Sequence, residues 1–148
     1  MAAVTNSIFI RGEPRAIFDF VTTAKYWTLW HPATIGVGGQ IEKPMRLGDV
    51  IRERARIGQA IGENDWTVTA WEQNNRVVLS MPNTRLGDLQ ITYTFAEKRG
   101  GMEFDRELIY DAGGFPQEIA DALALQMDSD SRIATERIKE MFEERGGN

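Results

Sequence analysis

The segment that decides the fold is residues 116–144, PQEIADALALQMDSDSRIATERIKEMFEE. Pro116 suits the first turn of a helix, and Gly146 and Gly147 are expected to end it. At 1.5 Å per residue this helix would be roughly 40 Å long, so it requires a broad partner. One face is apolar at i, i+4 and i+7 spacing, formed by Ile119, Leu123, Met127, Ala134, Ile138 and Met141, and is interrupted by Asp130 and Ser131.

The first third of the chain is predicted to hold one strand and two short helices. Alternation predicts a strand over Val4–Arg11, and Pro14 can open a helix over Arg15–Val21. A second short helix over Ala24–Trp30 should end at His31, because the residue before a proline is disfavoured in the α region. Residues 33–46, with several glycines, are predicted to be loop.

The next sixty residues alternate as antiparallel strands do. Five strands are predicted, over Gly48–Gly58, Ile61–Glu72, Arg76–Met81, Asp88–Glu97 and Met102–Asp111. With the first strand this makes a sheet of about six strands, whose single apolar face meets the long C-terminal helix. We therefore expect an α+β fold in one domain spanning residues 1–148.

The period of two also predicts which side chains face the helix. In one strand Arg52, Arg54 and Arg56 share a face, so Glu53 should point inward if the arginines point to water. The other inward residues are predicted to be Trp66, Val68, Val77, Leu79, Met81, Leu89, Ile91, Tyr93, Phe95, Met102, Phe104, Arg106, Leu108 and Tyr110.

Composition narrows the class of protein. A hydrophobic content of 42% is enough for a core, and a formal net charge of −5 argues against nucleic acid as the main partner. The absence of cysteine excludes disulfides, and no apolar run approaches the roughly 18 residues of a membrane span. We therefore expect a cytoplasmic protein.

The order of elements, with the stretches SIFIRGEPRAIFDFVT, YWTLWHP, GDVIRERARIG, WTVTAWE and FDRELIY, resembles the START-related superfamily over almost the whole chain. More narrowly, it is similar to the bacterial polyketide cyclase/dehydratase and lipid-transport-like branch. The resemblance implies the helix-grip fold, in which a curved antiparallel sheet wraps around the C-terminal helix and encloses a cavity. Members of this superfamily bind lipids, quinones, hormones or polyketides, and some are enzymes or chaperone activators.

Several polar and adaptable side chains on the inner face favour a cavity of a few hundred Å³ over a dry core. Trp30 and His31 are expected at its mouth, and Trp27 and Trp30 could either line it or anchor their helix to the core. The predicted ligand-binding residues are Trp27, Trp30, His31, Glu53, Trp66, Met81, Tyr93, Arg106, Tyr110, Leu123 and Met127.

In the fold that the chain resembles, the first strand lies between those carrying Glu53 and Arg106, so the two side chains could meet across it. Pairing is the usual remedy for the cost of a lone buried charge. Such a pair could either close one end of the barrel or orient a ligand. Its loss through Arg106→Leu would cost on the order of 3–5 kcal/mol by leaving Glu53 unpaired.

Three functions remain open from the sequence. The first is binding of an apolar, ring-containing molecule, the second is a cyclase/dehydratase-type enzyme, and the third is a chaperone-activator or interaction domain. The single histidine, the lack of cysteine and the lack of a glycine-rich phosphate loop predict that any turnover needs neither metal nor nucleotide.

Overall fold

The computed structural model describes residues 1–145, which contain seven strands and one long helix. The elements in chain order are β1 (Ala2–Arg11), α1 (Pro14–Val21), a 3-10 turn (Ala24–Tyr26), α2 (Trp27–Trp30), β2 (Thr34–Gly39), β3 (Val50–Ile57), β4 (Ala60–Glu72), β5 (Arg76–Thr84), β6 (Gly87–Lys98), β7 (Gly101–Tyr110) and α3 (Gln117–Glu144). The predicted α+β layout and long helix are confirmed, whereas the predicted stop at Gly146 and Gly147 lies outside the described residues. In the described part of the chain, no helix combines the length and apolar character needed to span a membrane.

All seven strands form one antiparallel sheet in the order β1-β7-β6-β5-β4-β3-β2. Each strand pairs with its neighbour along the chain except β1, which pairs with β7 from Ala2 opposite Tyr110 to Arg11 opposite Gly101. The register shifts after Val68 in β4, and such irregularities bend a strand and increase its twist. The resulting sheet curls around α3 as the helix-grip fold requires.

The sequence prediction missed one strand, β2, and placed its residues in a loop. β2 pairs with β3 from Thr34 opposite Ala55 to Gly39 opposite Ile51. Three of its six residues are glycine, so the alternation that identifies strands is absent from the sequence TIGVGG. Gly39 has a φ of 86°, and a Cβ there would lie 2.6 Å from the carbonyl oxygen of Val50, so this edge of the sheet needs glycine.

Most of the predicted inward side chains of β4 to β7 are buried, which confirms the assignment of faces. The dense part of the core lies between β1, α1 and the C-terminal half of α3, where the ring of Phe142 lies 5.7 Å from that of Phe20 in a tilted arrangement. In this half the buried residues are Ser131, Ala134, Thr135, Ile138 and Phe142. In the N-terminal half only Leu123 and Met127 are buried, and predicted core residue Ile119 is exposed.

α1 fixes the other side of this core. It begins after Glu13, whose carboxylate accepts hydrogen bonds from the backbone N–H groups of Arg15 and Ala16 at 3.2 and 2.8 Å. Its buried face includes Phe18, whose ring lies 5.0 Å from that of Phe95 in edge contact. α2 follows and lies between β2 and α3, so it closes the inner end of the space beneath the sheet.

Candidate ligand-binding site

A cavity of about 950 Å³ lies between the inner face of the sheet and the N-terminal half of α3. Its volume is larger than the few hundred Å³ predicted, and it lies at the upper end of the range for small-molecule sites. Most of the wall is apolar, with contributions from Ile57, Leu86, Leu89, Ile91, Leu108, Phe115 and Leu123.

The cavity opens between the β3–β4 turn, the β5–β6 turn and the start of α3. Ile61 and Ile119, each 48% exposed, lie on this rim beside the exposed charged residues Arg85 and Glu118. Gln126 ties the β3–β4 turn to α3, because its Oε1 accepts a hydrogen bond from the Gly58 N–H at 2.9 Å. The predicted position of Trp30 at the mouth is wrong, since Trp30 is only 1% exposed and its helix lies between β2 and α3, whereas His31 is half-buried.

Every predicted ligand-binding residue except Tyr110 lies on the cavity wall. The residues placed there are Trp27, Trp30, His31, Glu53, Trp66, Met81, Tyr93, Arg106, Leu123 and Met127. Tyr110 is buried at the end of β7, where β1 covers the strand edge, and its side chain packs outside the wall. That these residues bind a ligand stays a prediction.

The sequence left open whether Trp27 and Trp30 line the cavity or anchor their helix to the core, and the structure shows both. Both rings are buried, lie 6.5 Å apart in edge contact, and also form part of the cavity wall. They therefore anchor α2 and shape the inner end of the cavity at the same time.

Glu53 points inward from β3, as predicted, and both of its carboxylate oxygens accept hydrogen bonds. The Trp66 indole N–H donates to Oε1 at 2.9 Å, and the Thr34 hydroxyl donates to Oε2 at 2.5 Å. These donors come from β4 and β2, the two strands that flank β3. Glu53 is therefore satisfied by its neighbours within the sheet, without an arginine partner.

The hydrogen bonds of the Thr34 hydroxyl also fix the tautomer of His31. The Thr34 hydroxyl has a single hydrogen, which it gives to Glu53, so it accepts at 3.2 Å from Nδ1–H of His31. The other ring nitrogen, Nε2, then carries the lone pair. Burial, assisted by the charge of Arg106, lowers the pKa of His31 to about 3, so the ring is neutral at physiological pH.

Arg106 is buried on β7, and its predicted ion pair with Glu53 does not form. Its Nη1 donates to the Ser131 hydroxyl at 3.0 Å, and its buried Nε–H has no acceptor among residues 1–145. Within that range no carboxylate lies within ion-pairing distance of its guanidinium. The assumed topology was wrong: β4, β5 and β6 separate β3 from β7, and β1 is an edge strand.

Tyr93 lies directly opposite Arg106 in the β6–β7 pairing, with its side chain on the same inner face. Burial raises the pKa of the Tyr93 hydroxyl to about 12, although the Arg106 guanidinium beside it acts in the opposite direction. Tyr93 therefore keeps its proton and can donate a hydrogen bond into the cavity.

Two residues of this polar group were not assigned to the site from the sequence. Ser131 was visible as a polar residue interrupting the apolar helix face, and the structure shows it fully buried against Arg106. Thr34 gave no signal because its strand was not recognised. Asp130, the neighbouring interruption, lies on the cavity wall and accepts a hydrogen bond from Gln126 at 3.4 Å.

Within residues 1–145, no three acidic or histidine side chains converge as a metal site would require.

The sequence matches the polyketide cyclase/dehydrase and lipid transport family over residues 1–143. The chain belongs to this family. No curated protein matches it.

Solved structures share the fold. The Zhui aromatase/cyclase from Streptomyces sp. R1128 is 11% identical with a TM-score of 0.77, covering 97% of this chain and 94% of that one. A START superfamily protein from Mycobacterium smegmatis is 11% identical with a TM-score of 0.73, covering 96% and 97%. The di-domain ARO/CYC StfQ from the steffimycin biosynthetic pathway is 12% identical with a TM-score of 0.75, covering 99% of this chain and 52% of that one. At these identities the likeness establishes the fold alone.

Proposed function

We propose that the protein binds an apolar, ring-containing small molecule of lipid, quinone or polyketide-like type in the cavity beneath the sheet. The observation that carries this proposal is an open cavity of about 950 Å³ with a mostly apolar wall. Membership of the family supports the same class of function. A chaperone-activator role, for which a filled interior would be expected, gains no support from this cavity.

Binding can be measured with N-phenyl-1-naphthylamine, a neutral probe whose fluorescence rises in apolar surroundings. Leu123→Trp should fill the cavity from α3 and weaken probe binding at least about tenfold, because the wall volume is then occupied. The matched control is Leu125→Trp, two residues away on the exposed side of the same helix, which should bind like wild type. The absence of a fluorescence rise with wild type, or equal binding by both variants, would contradict the proposal.

A metal-independent cyclase or dehydratase activity is the second candidate. It is supported by the presence in one cavity of a cation on Arg106 and a hydroxyl on Tyr93. Such groups can stabilise the enolate that forms when an acidic C–H bond loses its proton.

Hydrogen–deuterium exchange at the acidic carbon of 1-phenylbutane-1,3-dione, followed by NMR, tests this activity. We expect faster exchange with wild type than with Arg106→Gln, and no effect of EDTA. Equal rates for the two proteins would contradict the enzymatic candidate, and loss of exchange on chelation would contradict its independence of metal.

A further inference from the structure

Arg106 carries a buried charge whose hydrogen bonding within residues 1–145 is incomplete. Its side chain is 4% exposed, yet its hydrogen-bond partner is a neutral serine, and its Nε–H lacks an acceptor in the part of the chain described. A buried guanidinium with unfilled donors is costly unless a negatively charged or polar acceptor completes its surroundings. Nε itself is enclosed by protein, but Arg106 lies on the cavity wall, so a bound molecule could accept a hydrogen bond from the terminal nitrogens of the guanidinium.

The position of Arg106 along the cavity defines which part of a ligand would reach it. Gly87 begins β6 beside the mouth, and Tyr93, the cross-strand neighbour of Arg106, lies six residues further along the strand. At about 3.3 Å per residue, Tyr93 and Arg106 lie roughly 20 Å along the strand from the mouth of the cavity. Leu89 and Ile91 lie between the two points on the same face, so the passage to Arg106 is apolar.

At the inner end of the cavity the other charged groups have partners or are neutral, while Arg56, Arg85 and Glu118 of the wall are exposed at the surface. Both oxygens of Glu53 accept hydrogen bonds, and Asp130 accepts one from Gln126. His31 carries no charge to balance or reinforce that of Arg106, because burial lowers its pKa to about 3. Arg106 is thus the buried charge of the inner end whose donors remain open.

We propose that Arg106 and the Tyr93 hydroxyl together form an anion site that takes the acid group of an apolar ligand. The acid group would be a carboxylate or an ionised enol or phenol, and the apolar body would extend toward the mouth. The guanidinium N–H and the phenolic O–H are both donors, which suits an oxyanion. This inference rests on the proposed function and narrows the ligand class to hydrophobic acids.

The test compares 2-naphthoate with 2-naphthamide at pH 7, which share a ring system and differ in charge. Displacement of N-phenyl-1-naphthylamine from the wild-type protein should show 2-naphthoate binding at least about tenfold more tightly. Arg106→Gln should bring the two affinities within about twofold of each other, and Tyr93→Phe should reduce the preference by about threefold or more. Arg99→Gln, on an exposed turn, and Tyr110→Phe, at a buried tyrosine outside the cavity wall, are the matched controls and should keep the full preference.

The possible outcomes distinguish a failure of the anion site from a failure of the proposed binding function. If the neutral probe binds and wild type treats the two naphthalenes alike, the anion site is wrong and the binding function stands. If no probe binds at all, both are wrong. Should Arg106→Gln fail to fold, the comparison in the wild-type protein and the charge-preserving Arg106→Lys variant still decide, because the lysine should retain a preference for 2-naphthoate.

Discussion

The two halves of α3 have different surroundings although they belong to one uninterrupted helix. The C-terminal half buries Ala134, Ile138 and Phe142 against β1, α1 and α2. The N-terminal half spans the cavity and buries only Leu123 and Met127, both of which border the open space. The boundary falls at Ser131, where the helix meets Arg106. One half of the helix therefore provides stability, and the other leaves room for a ligand.

The largest expected difference between the halves is in packing. Ile138→Ala should lower the free energy of unfolding by about 3 kcal/mol, because it leaves a void in a fully enclosed site. Leu123→Ala should cost less than about 2 kcal/mol, since its side chain already borders the cavity on one side. Urea unfolding of both variants, with m values to confirm two-state behaviour, measures this. Equal losses would mean that the N-terminal half packs as tightly as the C-terminal half.

The inner end of the cavity should also make stability depend on pH through His31. The pKa of His31 is about 3 in the folded protein and about 6.5 in the unfolded protein. Between these values the unfolded state binds a proton that the folded state does not bind. Stability should therefore fall as pH drops from about 6.5 toward 3, by up to about 1.4 kcal/mol per pH unit. The charged groups that act on the ring or share its hydrogen bond are Arg106 on β7 and Glu53 on β3.

The control for this prediction is His31→Asn, in which the amide N–H can still donate to Thr34 but cannot titrate. The difference in unfolding free energy between the two proteins should narrow from pH 7 to pH 5. If that difference is constant with pH, the folded His31 titrates normally and its surroundings are wetter than the structure indicates.

A smaller effect is expected at the boundary between the halves. Arg106→Leu in the ligand-free protein should lie within about 1 kcal/mol of wild type, because it removes a poorly satisfied buried charge. The loss of 3–5 kcal/mol expected from the sequence required a Glu53 partner, which the structure does not contain. If chemical denaturation shows a loss of about 3–5 kcal/mol in the free energy of unfolding, the result would favour a Glu53–Arg106 ion pair and contradict the arrangement described above.

The smallest effect is expected at the far end of the C-terminal half. Glu143 accepts hydrogen bonds from the Arg11 backbone N–H at 2.9 Å and from Lys139 Nζ at 2.7 Å, which joins α3 to β1. Glu143→Gln should cost about 0.5 kcal/mol, since ion pairs near the surface contribute little, and salt should reduce the difference. Thermal unfolding at low and high ionic strength checks it. A loss above about 2 kcal/mol would show that this end of the helix depends on charge more than on packing.

The sheet and the long helix were predictable because their signals are local. Alternation identified the inward faces of β3 to β7, including the unusual inward positions of Glu53 and Arg106. The glycines of β2 give no such alternation, so the strand was not recognised. As a result, Thr34, whose hydroxyl connects His31 to Glu53, was not assigned to the site.

The partners of the polar residues were not predictable in the same way. Whether Glu53 meets Arg106 depends on the order of the strands in the sheet and on its curvature, and neither is encoded in the period of a strand. The polar interruption at Ser131 was the available clue, and it identified the place where the helix meets the buried cation. The mouth of the cavity was misplaced for a related reason, because the packing of α2 between β2 and α3 is a tertiary contact.

The comparison between the halves of α3 can be tested directly by methyl NMR of the methionines. Met127 and Met141 lie on the same helix, but Met127 borders the cavity and Met141 packs against the core. Titration with N-phenyl-1-naphthylamine should shift the methyl signals of Met127 and of Met81 on β5, and leave those of Met141 and the fully buried Met102 unchanged. Unshifted signals for Met81 and Met127, or equal shifts at Met141, would contradict a ligand site beneath the N-terminal half of the helix.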